Sequence, residues 1–302
     1  METPPRPNRL PLSRRFKQRW KNLRAVTAAP LAYHPGHFYS PVTDPAEIRL
    51  RYRDLRENAP ESLPGIELDR AAHIDRLRSW QSFMADPRPG STAGCRYTPA
   101  NDQYGLGDAL IQSCMLRQFR PQRMIEIGSG HSSANALDTI DTHLAGTTRC
   151  TFVDPFPKRL NAILRPEDRT RHAIIEKPVQ DIDPALMEEL QANDILFIDS
   201  THIVKTASDV LFDLFELLPR VKPGVVIHIH DMFWPFEYPP AWVVDMNMSW
   251  NEIYAMRAFL MWNSAFEIFF FNDYLWTTAR DEVARAAPDI VGLGGGLWLR
   301  RR

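Results

Sequence analysis

Apolar residues in the second half of the chain fall in short unbroken runs that close on glycine or an acid. They are MIEIG at 124–128, CTFVD at 150–154, HAIIE at 172–176, DILFID at 194–199 and GVVIHIHD at 224–231. Runs of this length with little alternation read as strands covered on both faces. A helix at 107–119 leads into the first run, and helical spacing fills gaps between later ones, notably at 184–191 and 204–218. Strands alternating with helices predict right-handed crossovers and a parallel sheet. FEIFFFND (266–273) and GLWLRRR (296–302) add two strands in a hairpin-type finish, and 250–262 reads as a core helix. The expected fold is α/β, a doubly wound, mostly parallel seven-stranded sheet.

Ahead of this pattern the chain is less regular. Residues 28–66 are rich in proline and turn formers, a helix is expected over about 67–84, and PRPGSTAG (87–94) reads as a loop. This divides the chain into a basic arm and mainly helical N-terminal cap at 1–98 and a larger domain at 99–302. In the arm, residues 1–27 carry eight arginines and lysines against Glu2, with Leu12, Phe16, Trp20 and Leu23 at helical spacing. Such a stretch either lies weakly on an anionic membrane surface or forms a partly ordered arm that docks on its own domain or stays mobile.

Composition narrows the function classes. The 302 residues are 44% hydrophobic and 24% charged with a net charge of -1, which argues against a nucleic-acid binder. Cys95, Cys114 and Cys150 stand far apart and read as free thiols of a reducing compartment. Neither a secretory h-region nor a membrane-length apolar run is present, so the expected location is cytoplasmic. Homo-oligomerisation is left open.

In open α/β sheets ligands bind beyond the carboxyl ends of the strands, so those residues carry the chemistry. The first end reads Glu126-Ile-Gly128-Ser129-Gly130-His131, where two glycines let backbone approach a ligand and the next helix offers its N-terminus. Ser133 stands where a dinucleotide fingerprint would place its third glycine. Asp154, 26 residues beyond Gly128, can accept from two ribose hydroxyls. Gln180 and Asp181 follow the third strand, where they either meet an adenine edge or, for Asp181, cap the helix near Pro184. His131 either approaches the cofactor carboxylate or faces solvent.

Glu126-x-Gly128-x-Gly130, Asp154, Asp181 and the Lys222-Pro223-Gly224 turn resemble the motifs of class I S-adenosylmethionine (SAM)-dependent methyltransferases. The resemblance covers roughly 100–302 and implies a Rossmann-like fold. It also implies that Gly128 and Gly130 contact the amino-acid part of SAM, Asp154 the ribose and Asp181 the adenine. The stretch from DSTHIVK to PFEYP further resembles methyltransferase domain family 24.

The remaining strand ends supply reactive groups. Asp199 closes the fourth run, His202 sits on the next turn, and His230-Asp231 close the fifth. Two readings stay open. Asp199, His230 and Asp231 hold a divalent metal (Mg, Mn or Fe) that acidifies an acceptor hydroxyl, with His202 taking the proton. Otherwise no metal binds and His202 or His230 is the general base. The first arrangement resembles metal-dependent sugar O-methyltransferases, except that His230 stands where glutamate is found. Asp199 could alternatively cap a helix, and His228 reads as a core histidine. Trp234, Glu237 and Tyr238, with Phe236 and Trp242, form either an acceptor-binding wall or plain packing. The expected activity is O-methylation of a sugar, glycan intermediate or similar polyol. The alternatives are an NAD(P)-dependent oxidoreductase and a non-catalytic SAM-binding module.

Overall fold

The computed structural model describes residues 32–52, 55–85 and 87–302. The expected basic helix around Leu12, Phe16, Trp20 and Leu23 lies outside them. The chain divides into two compact units, one holding 239–249 with the described residues up to 52, the other 55–238 and 250–302.

In the smaller unit, helix α1 (Pro45–Arg51) is capped by Asp44, whose side chain accepts from Ala46 N. Thr43 Oγ1 donates to Asn247 Oδ1 at 3.2 Å. Trp242 belongs to a helical turn, Ala241–Asp245, of this unit.

The larger unit contains the sheet. The helix expected over 67–84 is two pieces, α2 (Arg70–Ser79) and α3 (Gln81–Ala85), started by the Asp69 cap. Helix α4 (Leu106–Phe119) ends on Arg120 in left-handed backbone and leads into β1 (Arg123–Ile127). There follow α5 (His131–His143), β2 (Arg149–Val153), α6 (Lys158–Ile163), α7 (Asp168–Arg171), β3 (Ala173–Ile175) and β4 (Ile195–Ile198). The expected helices at 184–191 and 204–218 are tighter and broken. The first is a 3-10 turn, Pro184–Glu189, while the second begins only at α8 (Asp209–Phe212) because Ser208 caps it there. Strand β5 (Val226–Ile229), α9 (Glu252–Leu260), β6 (Phe266–Phe271), α10 (Asn272–Thr278), α11 (Arg280–Ala286) and β7 (Leu297–Arg301) complete the unit.

The strand order is β3-β2-β1-β4-β5-β7-β6. The first five strands pair in parallel and β7 runs antiparallel between β5 and β6. The seven-stranded, mostly parallel, Rossmann-like sheet is thus as the sequence indicates. Every residue of β4 and β5 is buried, which explains their unbroken apolar runs. Residues 55–98 pack into this unit. Arg56 forms a two-pronged pair with Asp273, and buried Arg96 binds Asp138, Asp141 and Asp168. No helix among the described residues is long and apolar enough to cross a membrane.

Candidate functional site

Register sets the strand ends side by side. Ile127 on β1 pairs with Val153 on β2 and Ile198 on β4, and Ile198 pairs with Ile229 on β5. One further hydrogen bond continues each ladder: Gly128 N donates to Val153 O, Asp199 N to Ile127 O and His230 N to Ile198 O. Asp154, Gly128, Asp199 and His230 therefore form a row beyond the sheet, at the end where open α/β folds bind ligands.

Gly128 has φ 81°, and a Cβ there would lie 2.3 Å from the Asp199 carbonyl oxygen. Only glycine lets the loop turn under the end of β4. Ser129 Oγ donates to Asp154 Oδ2, and Phe156 N donates to Asp154 Oδ1 at 2.7 Å, so this carboxylate is held before any ligand arrives. Glu126 is fully buried: Oε1 accepts from Ser132 Oγ, and Oε2 has no partner. Burial pushes its pKa up to about 8, against the pull of Ser132 and Ser133. His131 opens α5 with its Nδ1 buried and unpartnered. Gln180 and Asp181 are exposed, Gln180 donating to Ala207 O at 3.1 Å. The cap near Pro184 is Asp183, not Asp181, since Asp183 accepts from Ala185 N at 2.9 Å.

Beside this row lies a cluster centred on His202. Its Nδ1 is 2.8 Å from Glu252 Oε2, while its Nε2 is 3.3 Å from Asp231 Oδ2 and 3.6 Å from Asp199 Oδ1. His202 (φ 63°) and Asp231 (φ 56°) both take left-handed backbone, a cost on the order of 1–3 kcal/mol for a non-glycine residue. The start of α9 holds the first of them in place. Asn251 N and Glu252 N donate to His202 O, Asn251 Oδ1 accepts from Val204 N at 2.6 Å, and the Trp250 ring lies 4.6 Å from the imidazole. Burial alone would lower the His202 pKa. The hydrogen bond and charge of Glu252, with Asp231 and Asp199, outweigh it and lift the value to about 9.

Glu252 is a site residue that periodicity assigned to core. The available signal was a glutamate at the head of a mostly apolar helix, which reads as a solvent-facing first turn until the fold buries it. Asp108 was also missed. It is buried in the first turn of α4 with Oδ1 unpartnered, packed against Gly294, and burial raises its pKa to about 7. His228 is core, stacked on Phe197 at 4.0 Å. His230 Nδ1 lies 3.3 Å from His228 Nε2, and its Nε2 lies 3.6 Å from Asp231 Oδ1.

The three residues expected to hold a metal, Asp199, His230 and Asp231, lie at the adjoining ends of β4 and β5. Among the described residues no group of three or more His, Cys, Asp or Glu is arranged to hold an ion. Asp199 and Asp231 both approach His202 Nε2. The structure places the residues of the expected aromatic wall differently. Trp234 is fully buried, its Nε1 donating to Pro60 O at 2.7 Å and its ring packed 4.9 Å from Tyr274, so it is packing. Tyr238 is likewise buried, near Trp250 and with Ile253 N donating to its hydroxyl. Half-buried Glu237 accepts from Tyr254 OH at 3.0 Å.

Residues 125–232 match a family described as a methyltransferase domain. The chain is 30% identical over 169 residues to an uncharacterised protein of Archaeoglobus fulgidus, covering 54% of this chain and 76% of that one. Among solved structures it is similar to a methyltransferase of Podospora anserina bound to S-adenosylhomocysteine, with TM-score 0.40 and 15% identity over 85% of this chain and 95% of the other. It is also similar to the O-methyltransferase TomG of Streptomyces achromogenes in complex with SAM, with TM-score 0.39 and 14% identity over 78% and 91%. With the glycine loop and the acids of the second and fourth strand ends in one row, the chain belongs to the class I SAM-dependent methyltransferases.

Proposed function

We propose that the protein is an O-methyltransferase acting on a hydroxyl of a sugar, glycan intermediate or similar polyol, with His202 as general base. The observation that carries this reading is the orientation of His202. With Glu252 accepting a hydrogen bond from Nδ1–H, Nε2 is left as the atom able to accept a proton between the carboxylates that close β4 and β5. SAM supplies an electrophilic methyl group on a sulfonium. Neutral His202 removes the acceptor O–H proton through Nε2, and Asp199 and Asp231 stabilise the imidazolium that forms. The lone pair of the acceptor oxygen forms the C–O bond as the C–S bond breaks, its electrons going to sulfur. Gly128, Ser129, Gly130 and Asp154 hold the cofactor, with Glu126 available to its ammonium group and Gln180 and Asp181 at the adenine side.

A methyl-transfer screen with labelled SAM against sugars, glycan intermediates and phenolic diols tests the acceptor class. Label is expected in the first two groups and at oxygen. Transfer to phenolic diols alone would overturn the polyol reading. A chelator added to the same assay is expected to leave the rate unchanged, because His202 Nε2 can take the acceptor proton without a cation. Loss of activity restored by Mg²⁺ would hand the role to Asp199 and Asp231 as metal ligands.

A further inference from the structure

We propose that Arg159 reads the α-carboxylate of SAM and so sets selectivity for the intact cofactor over analogues that lack this group. The inference rests on the cofactor placement above and adds a residue to it. Arg159 lies in the first turn of α6, just beyond the Asp154 strand end. Its side chain crosses to the glycine loop. A Cβ on Gly130 would fall 3.0 Å from Arg159 Cδ and 3.1 Å from Nη1. Gly130 is the N-cap of α5, a helix of 13 residues; its own N–H donates to Ser133 Oγ, while no side chain among the described residues accepts from the N–H groups of His131, Ser132 and Ser133. The free N–H groups of that turn and the guanidinium thus face the same small space, and both favour an anion.

A second observation gives the ligand its other charge. Beneath the first turn of α5, Glu126 presents a fully buried carboxyl whose Oε2 has no partner, while Ser132 of the same turn holds Oε1. One loop therefore carries an unmatched acid on one side and a guanidinium on the other. That arrangement complements a zwitterionic amino-acid group, with the ammonium on Glu126 and the carboxylate on Arg159. Among the described residues no hydrogen bond or ion pair occupies Arg159. The nearest strand-end acid, Asp154, is already engaged by Ser129 and Phe156 N. Arg159 is exposed and so can be replaced without opening the core.

The test compares SAM with decarboxylated SAM, which keeps the sulfonium and the amine, in binding titrations of the full chain and of Arg159→Ala. The wild-type chain is expected to prefer SAM by about tenfold or more, the size of one charge-assisted hydrogen bond. Arg159→Ala should lose about that factor for SAM and bind decarboxylated SAM as before or more tightly, with Arg159→Lys intermediate. Equal losses for both ligands, or no loss for either, would overturn the role of Arg159 while leaving the cofactor placement intact. Failure of the wild-type chain to bind SAM at all would overturn both.

Discussion

His202 carries a proton in the resting site, because the carboxylates of Glu252, Asp231 and Asp199 outweigh its burial. A base must be empty to act, so methyl transfer should speed up as pH rises toward about 9, the value to which these groups lift it, and then level off. An approaching sulfonium adds positive charge and pulls this limb down, the direction catalysis at neutral pH requires. Glu252→Gln removes the charge that raises the pKa and replaces the acceptor on Nδ1 with a group that can also donate. The limb should then move to lower pH and kcat should fall by roughly 100-fold or more, as when a carboxylate behind a catalytic histidine is neutralised. Glu252→Asp should recover part of the rate. A pH–rate profile that keeps its limb in Glu252→Gln would remove Glu252 from this role. At this scale the sequence was only partly legible. Asp199, His202 and Asp231 could be found because they end strands or follow one directly. Glu252 could not, because its partner is 50 residues away in sequence and its helix announces only an apolar stripe.

Among elements, the strands were the most legible, since β4 and β5 are buried along their whole length and each closes on an acid or histidine. The helices were less so. Their ends depend on caps such as Asp69, Asp183 and Ser208, whose choice among nearby polar residues follows local backbone rather than apolar spacing. The turn after β1 shows how an element end becomes a binding feature. Gly128 combines φ 81° with a Cβ position blocked by the β4 terminus. Gly128→Ala is expected to lower unfolding stability by about 1–3 kcal/mol and to weaken SAM binding, because either the loop or the Asp199 carbonyl must move. Thermal melts and SAM titration read both effects. Unchanged values for both would show that the loop has room to spare.

Taken as a whole, the larger unit lines up its candidate site along one end of the sheet. On the proposed reading, the ends of β1 and β2 serve the cofactor, and the ends of β4 and β5, with the start of α9, serve proton removal. The fold class follows from the alternation of apolar runs and helices, which is a local property of the sequence. The assignment of residues 55–98 to the sheet unit was not legible, because it depends on contacts such as Arg56 with Asp273 that span most of the chain. The burial of Trp234 was hidden for the same reason. If holding and chemistry are separate, they can be separated by one substitution. The most direct measurement is therefore the turnover of His202→Ala beside its SAM affinity in the same preparation. The account predicts methyl transfer reduced by about 10²–10⁴-fold, the usual share of a general base, with SAM affinity within about twofold of the wild type. Retained turnover, or loss of SAM binding in parallel with activity, would contradict it.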